Sequence, residues 1–123
     1  MNKFFKSVQR KWLYSFVGFW TVIREEKSIW VYLIALPIFI GLGVWVKLNY
    51  VEWSLLVLLS FLVICVEVIN TAIEATVDTI SFQYNVKVKK IKDIAAGATL
   101  VISLGAIIVL LLIFVPKIQA IIS

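Results

Sequence analysis

Histidine is absent from this chain, cysteine occurs once and proline twice. Without imidazole, carboxylates are the plausible bases near neutral pH. Neither a Ser-His-Asp triad nor a Cys/His zinc pattern can be assembled. Cys65 sits alone inside an apolar run, so it forms no intrachain disulfide and reads as a packing residue. The phosphate-cradling patterns G-x-x-x-x-G-K-[ST] and G-x-G-x-x-G are missing too, which restricts any nucleotide chemistry to another type of site.

Apolar sequence, in contrast, is abundant. Of 123 residues, 63% are hydrophobic, and the mean hydropathy is +1.05. One small soluble core cannot use that much apolar surface, so lipid is the expected solvent. Three apolar runs, Trp30 to Val46, Val51 to Val66 and Ile94 to Val115, approach or reach the roughly 30 Å hydrocarbon thickness at ~1.5 Å per residue. The first 28 residues mix Phe4, Phe5, Trp12, Phe16, Phe19 and Trp20 with Lys3, Lys6, Arg10, Lys11 and Arg24, a blend suited to a helix lying in the membrane interface rather than a cleaved signal. The expectation is an all-α integral membrane protein. It has one domain over 1–123, with an interfacial amphipathic helix over 1–28 and membrane helices at about 30–48, 51–80 and 93–115.

Six of the twelve basic residues precede Trp30 and four lie between Lys87 and Lys92, whereas the link between the first two spans holds only Lys47. The positive-inside rule then puts the N-terminus and the second loop in the cytoplasm and the C-terminus outside, in a multi-pass protein of the cell (inner or plasma) membrane. The net charge of +5 is explained by this topology and by attraction to anionic lipid, so no nucleic-acid partner is expected.

Pro37 falls within the first span, where it removes one backbone hydrogen bond and favours a bend. Small residues, among them Ala95, Ala96, Gly97, Ala98, Ser103, Gly105 and Ala106, suit the third span to close helix packing.

The most informative stretch is Glu67-Val-Ile-Asn70-Thr-Ala-Ile-Glu74-Ala-Thr-Val-Asp78, at the end of the second apolar run. At about 100° per residue, Glu67, Asn70, Glu74 and Asp78 fall within roughly 80° of one another on one helix face. A charge near lipid costs at least ~2.5 kcal/mol on insertion scales and marks a pathway, a partner or catalysis. Mg²⁺ commonly takes one or two carboxylates and completes its shell with water and phosphate oxygens, and Glu74 and Glu26 could supply that pair. Glu67, nearer the lipid, is then free to take a proton from an attacking hydroxyl. Two other readings stand beside this one. The polar groups could simply join helices, or they could line a pore or scaffold in a non-catalytic oligomeric membrane protein. Asp78, at the solvent end, suits a solvated or ion-paired role as well as a catalytic one, and the Lys87 to Lys92 cluster suits topology signalling. Lys92, next to Asp93, points to more.

The motif Glu67 to Asp78, followed by Lys92-Asp93-Ile-Ala-Ala-Gly-Ala98, resembles the small prokaryotic diacylglycerol kinase and undecaprenol kinase family over nearly the whole chain, with Tyr14, Gly18 and Glu26 upstream at the family's spacing. The resemblance implies a homotrimer with active sites shared between subunits and transfer of the ATP γ-phosphate to a membrane lipid alcohol, with Mg²⁺ as cofactor. By position, Glu67 and Asn70 look catalytic and Glu26 and Glu74 look like the ligands of the metal on ATP. Lys92, Asp93, Tyr14 and the Gln83-Tyr84-Asn85 turn match nucleotide-contacting positions. The Ala-Ala-Gly-Ala segment and the Phe114-Val-Pro116-Lys117 ending look more like the Gram-positive-type branch, which phosphorylates undecaprenol, than the branch acting on diacylglycerol. Val17, Trp30 and Tyr32 depart from the family's pattern, where a basic residue is common at the first two positions and His or Glu at the third.

Overall fold

The computed structural model describes residues 2–80 and 86–123, which form four helices. They are α1 (Asn2–Glu25), α2 (Ser28–Val46), α3 (Tyr50–Ile80) and α4 (Val86–Ile122). Three of them, α2, α3 and α4, are long and apolar enough to cross a membrane. The chain exposes 9560 Å², against roughly 6,700 Å² expected of a compact water-soluble protein of this mass. Phe61, Val101 and Leu112 are each 70% exposed or more, as befits side chains whose solvent is hydrocarbon. The protein is therefore a multi-pass integral membrane protein.

α1 has no buried residue and is strongly amphipathic. Phe4, Val8, Trp12, Phe16, Phe19 and Ile23 follow helical spacing along one side, while Lys3, Arg10, Tyr14, Gly18 and Thr21 fall on the other. The helix ends at Glu25, where the Glu26 amide bonds the Val22 carbonyl at 2.9 Å, and α2 begins at Ser28, three positions on. The Trp30 indole spans this break, with Nε1 donating to the Ile23 carbonyl at 2.9 Å.

The turn between α2 and α3 is defined residue by residue. Lys47 closes α2 in the left-handed conformation (φ 60°), and the Lys47 and Leu48 amides cap the carbonyls of Val44 and Gly43. Asn49 and Glu52 then form a reciprocal capping box for α3. The Asn49 amide donates to Glu52 Oε1 at 3.0 Å and the Glu52 amide donates to Asn49 Oδ1 at 2.9 Å. Lys117, from the far end of α4, reaches Glu52 Oε1 at 2.9 Å and the Lys47 carbonyl at 3.3 Å.

Against this clasp sits the main apolar cluster, Val46, Leu48, Leu56, Ile113 and Phe114, joined by Phe39 and Trp53. α3 and α4 run antiparallel and make the most extensive helix contact, since Leu56 meets Phe114 at one end and Asp78 meets Lys92 at the other. Ala95 and Ala106 are buried, while Ala96, Ala98 and Gly105 are not. α4 starts at Val86, within the stretch expected to be a polar loop up to Lys92, because Lys89 and Asp93 pair one turn apart and support the helix. It also continues through Pro116 to Ile122.

Gly43 is the closest backbone approach. A Cβ there would lie 2.7 Å from Trp53 Cη2 and 2.9 Å from Leu48 Cδ1, whereas a Cβ at Gly41 would meet nothing within 4 Å. Overpacking costs about 1–3 kcal/mol, against a gain of up to about 1 kcal/mol from replacing a helical glycine by alanine. Gly41→Ala is therefore expected to raise the melting temperature in detergent, and Gly43→Ala to lower it. Equal shifts in the two variants would contradict the close contact at Gly43.

Candidate functional site

The polar stripe emerges at the end of the bundle opposite the clasp, where α2 and α4 both begin. Glu67 is the one charged residue buried among the described residues, 5% exposed. Its Oε1 accepts a hydrogen bond of 2.5 Å from Ser28 Oγ, at the first position of α2. α3 thus brings the carboxylate to the N-terminal end of another helix, where free backbone amides and the helix dipole favour negative charge. From its start at Tyr50, α3 rises about 26 Å by Glu67, close to the roughly 30 Å hydrocarbon thickness, which puts this contact near the membrane boundary.

Asn70 follows within one turn, and its Nδ2 lies 3.4 Å from Glu74 Oε1, at the long limit for a hydrogen bond. Asn70 Oδ1 is buried without a partner, as is Thr99 Oγ1 on α4. The register that sets Asp78 against Lys92 puts Asn70 and Thr99 at about one level of the α3–α4 contact. Native proteins keep such groups rarely, and they mark places where a further donor is expected.

Asp78 pairs with Lys92 at 2.5 Å, and Lys89 pairs with Asp93 at 2.5 Å. Lys92 and Asp93 are adjacent in sequence but turn to different partners, as consecutive helical residues must at about 100° per residue. Both pairs are largely exposed. Glu26 is half-buried in the break between α1 and α2, two residues before Ser28, and Tyr14 is 65% exposed on the polar side of α1. Neither side chain joins a hydrogen bond to the α3 stripe among the described residues. Gln83, Tyr84 and Asn85 lie outside the described residues.

No group of three or more His, Cys, Asp or Glu side chains converges among the described residues. A transition-metal or structural zinc site is thus not preformed there, but the donors available are hard oxygens of the kind Mg²⁺ takes together with phosphate and water. Glu67, Asn70 and Glu74 form one line along α3, and Ser28 meets it from the start of α2, two residues after Glu26.

An apolar cleft of about 240 Å³ between α2, α3 and α4 lies on the membrane side of Glu67, lined by Val31, Tyr32, Phe39, Val63, Ser103 and Ile107 among others. Val63 precedes Glu67 by one turn and Tyr32 follows Ser28 by one turn, so the lining of the cleft comes within a helical turn of both. Ser28 is the site residue that sequence reasoning missed. A serine opening a helix is ordinary capping material, and nothing in its spacing signals a bond to a residue 39 positions away.

Comparison with known proteins places these features in a family. The profile described as prokaryotic diacylglycerol kinase matches residues 13–114. The undecaprenol kinase of Bacillus subtilis (strain 168) is 36% identical over 117 residues, covering 95% of this chain and 92% of that protein. The diacylglycerol kinase of Helicobacter pylori (strain J99) is 32% identical over 99 residues, covering 80% of this chain and 77% of that protein. A match of this extent, over the segment that carries both the buried glutamate and the Lys92-Asp93 pair, shows that the chain belongs to the prokaryotic diacylglycerol kinase family, a family of membrane lipid kinases.

Proposed function

We propose that this protein transfers the γ-phosphate of Mg-ATP to a membrane lipid alcohol, with undecaprenol as the acceptor and undecaprenyl phosphate as the product. The observation that carries the reading is the buried Glu67 carboxylate, held at the end of a polar stripe beside an apolar cleft. A lipid hydroxyl can reach it from the bilayer and a soluble nucleotide from the other side. The choice of undecaprenol is supported by the extent of the match to the Bacillus subtilis undecaprenol kinase, and diacylglycerol is the competing acceptor suggested by the Helicobacter pylori proteins.

In the proposed step Glu67 accepts the proton of the lipid hydroxyl as that oxygen attacks the γ-phosphorus. The new O–P bond forms as the bond from the γ-phosphorus to the β,γ-bridging oxygen breaks, and ADP leaves with the electron pair. The proton passes from Glu67 to water afterwards. Asn70, less than one turn along α3, orients the reacting groups with its amide. Glu26 and Glu74 would hold Mg²⁺, which supplies neutralisation of phosphate charge when bound. Lys92 and Asp93, with Tyr14, Gln83, Tyr84 and Asn85, serve the nucleotide. Lys92 gives up little in exchanging Asp78 for a phosphate, since exposed ion pairs contribute about 0–1 kcal/mol. Asp78 acts as the resting partner of that lysine.

The basic residues before Trp30 and those of Lys87 to Lys92 flank the ends of α2 and α4 that lie opposite the clasp, and this distribution supports a cytoplasmic N-terminus and second loop and an external C-terminus. α1, with its apolar side unburied, is suited to the membrane interface. Assembly as a homotrimer, with sites completed by a neighbouring subunit, completes the proposal and gives the exposed small residues of α4 a partner.

The test is transfer from labelled Mg-ATP to undecaprenol and to diacylglycerol, side by side in mixed micelles. Faster labelling of undecaprenol is expected. Faster labelling of diacylglycerol reassigns the acceptor, and labelling of neither overturns the kinase assignment. Glu74→Ala is expected to raise the Mg-ATP concentration for half-maximal rate about tenfold or more, the equivalent of one lost charge-assisted interaction, with the lipid KM within about twofold. An unchanged Mg-ATP requirement removes Glu74 from the metal site.

A further inference from the structure

The assigned base is held by a residue that has no place in the chemistry just described. Ser28 Oγ donates to Glu67 Oε1 at 2.5 Å, the one hydrogen bond to the Glu67 carboxylate among the described residues. A hydroxyl bonded to a carboxylate is about twice as strong a partner as in a neutral pair and is shorter. The accepting carboxylate is 5% exposed, while Ser28 itself stands at the exposed start of α2, so the bond is shielded on the Glu67 side.

The platform under that hydroxyl is rigid. Ile29, the next residue, is fully buried at 0% exposure. Trp30 then fastens the segment twice, with its indole on the Ile23 carbonyl at 2.9 Å and its amide on the Lys27 carbonyl at 3.2 Å. Ser28 is thus anchored in the first turn of α2 through its neighbours.

We infer that Ser28 is a positioning residue for Glu67: it binds one carboxylate oxygen, fixes the plane of the group and turns the other oxygen to the acceptor hydroxyl. The inference rests on Glu67 acting as the base. Because Glu26 lies two residues earlier on the same short segment, the Ser28 bond also sets the spacing between the proton acceptor and the nucleotide side of the site. It gives Trp30 a role as well, since the indole that stands where relatives carry a basic residue fastens the segment bearing Ser28.

The experiment is a mutant cycle on the assembled full chain in mixed micelles, with kcat and both KM values measured on undecaprenol or diacylglycerol, whichever is turned over. Ser28→Ala is expected to lower kcat about 10- to 100-fold, the scale of a misplacement near 1 Å, with both KM values within about twofold. Ser28→Thr, which keeps the hydroxyl, is expected to recover most of the rate, and the nearly isosteric Ser28→Val is not. This pair decides the matter if Ser28→Ala fails to assemble. Glu67→Asp, which draws the carboxylate back by one methylene, is expected to be slow by itself and to lose little more on adding Ser28→Ala.

Ser28→Ala at wild-type kcat, beside a slow Glu67→Asp, overturns the positioning role and leaves the base assignment standing. Equal losses in Ser28→Thr and Ser28→Val, or losses that multiply in the double variant, overturn it in favour of packing. Glu67→Asp at wild-type rate removes the base assignment and the positioning role together.

Discussion

A carboxylate buried at the edge of the hydrocarbon is the constraint around which this small protein is arranged. Glu67 is withdrawn from water in a chain whose neighbouring surface is lipid, and a charge in that position is kept only where something recovers its cost. Here the recovery is local and geometric. α3 carries the carboxylate to the membrane boundary, and the first turn of α2 meets it with a serine hydroxyl and the positive end of a helix. The remaining polar residues follow outward along α3, Asn70 and Glu74 half-buried and then Asp78 exposed with its lysine.

The same constraint explains the opposite end of the molecule. Backbone groups in a bilayer have no water to turn to, so helices must be long and their ends must be capped where they leave the lipid. The α2–α3 turn meets that demand with the left-handed Lys47, the Asn49–Glu52 capping box and Lys117 bridging both helices from α4. With one end closed by the clasp and its apolar cluster, the other end is where α2 and α4 begin beside α3, and polar side chains from different helices can meet there. A site that must face a lipid and a nucleotide at once is built from such an end.

The helices and the polar face were legible in the sequence for a simple reason. Long apolar runs and a repeat near four residues are signals summed over many positions, so no single residue has to be read correctly. Partnerships between individual side chains were not. Lys92 looks paired to Asp93 because they are adjacent, but they stand on different sides of α4, and Asp78 and Lys89 are the partners found. The start of α4 was obscured because four lysines in six residues read as a polar loop, while the Lys89–Asp93 pair that supports the helix is a single local interaction. Ser28 was beyond reach because its partner is set by how two spans pack, and a lone serine at a helix start carries no information about that packing.

Whether Glu67 takes the proton is decided by transfer of labelled γ-phosphate to a lipid alcohol by the natural chain and by Glu67→Ala, each first shown to assemble alike in detergent. The account predicts that the natural chain labels the lipid and that the variant, with its fold intact and its carboxylate gone, does not. Turnover retained in Glu67→Ala would contradict it, and would make Glu67 a link between helices instead of the group that takes the proton.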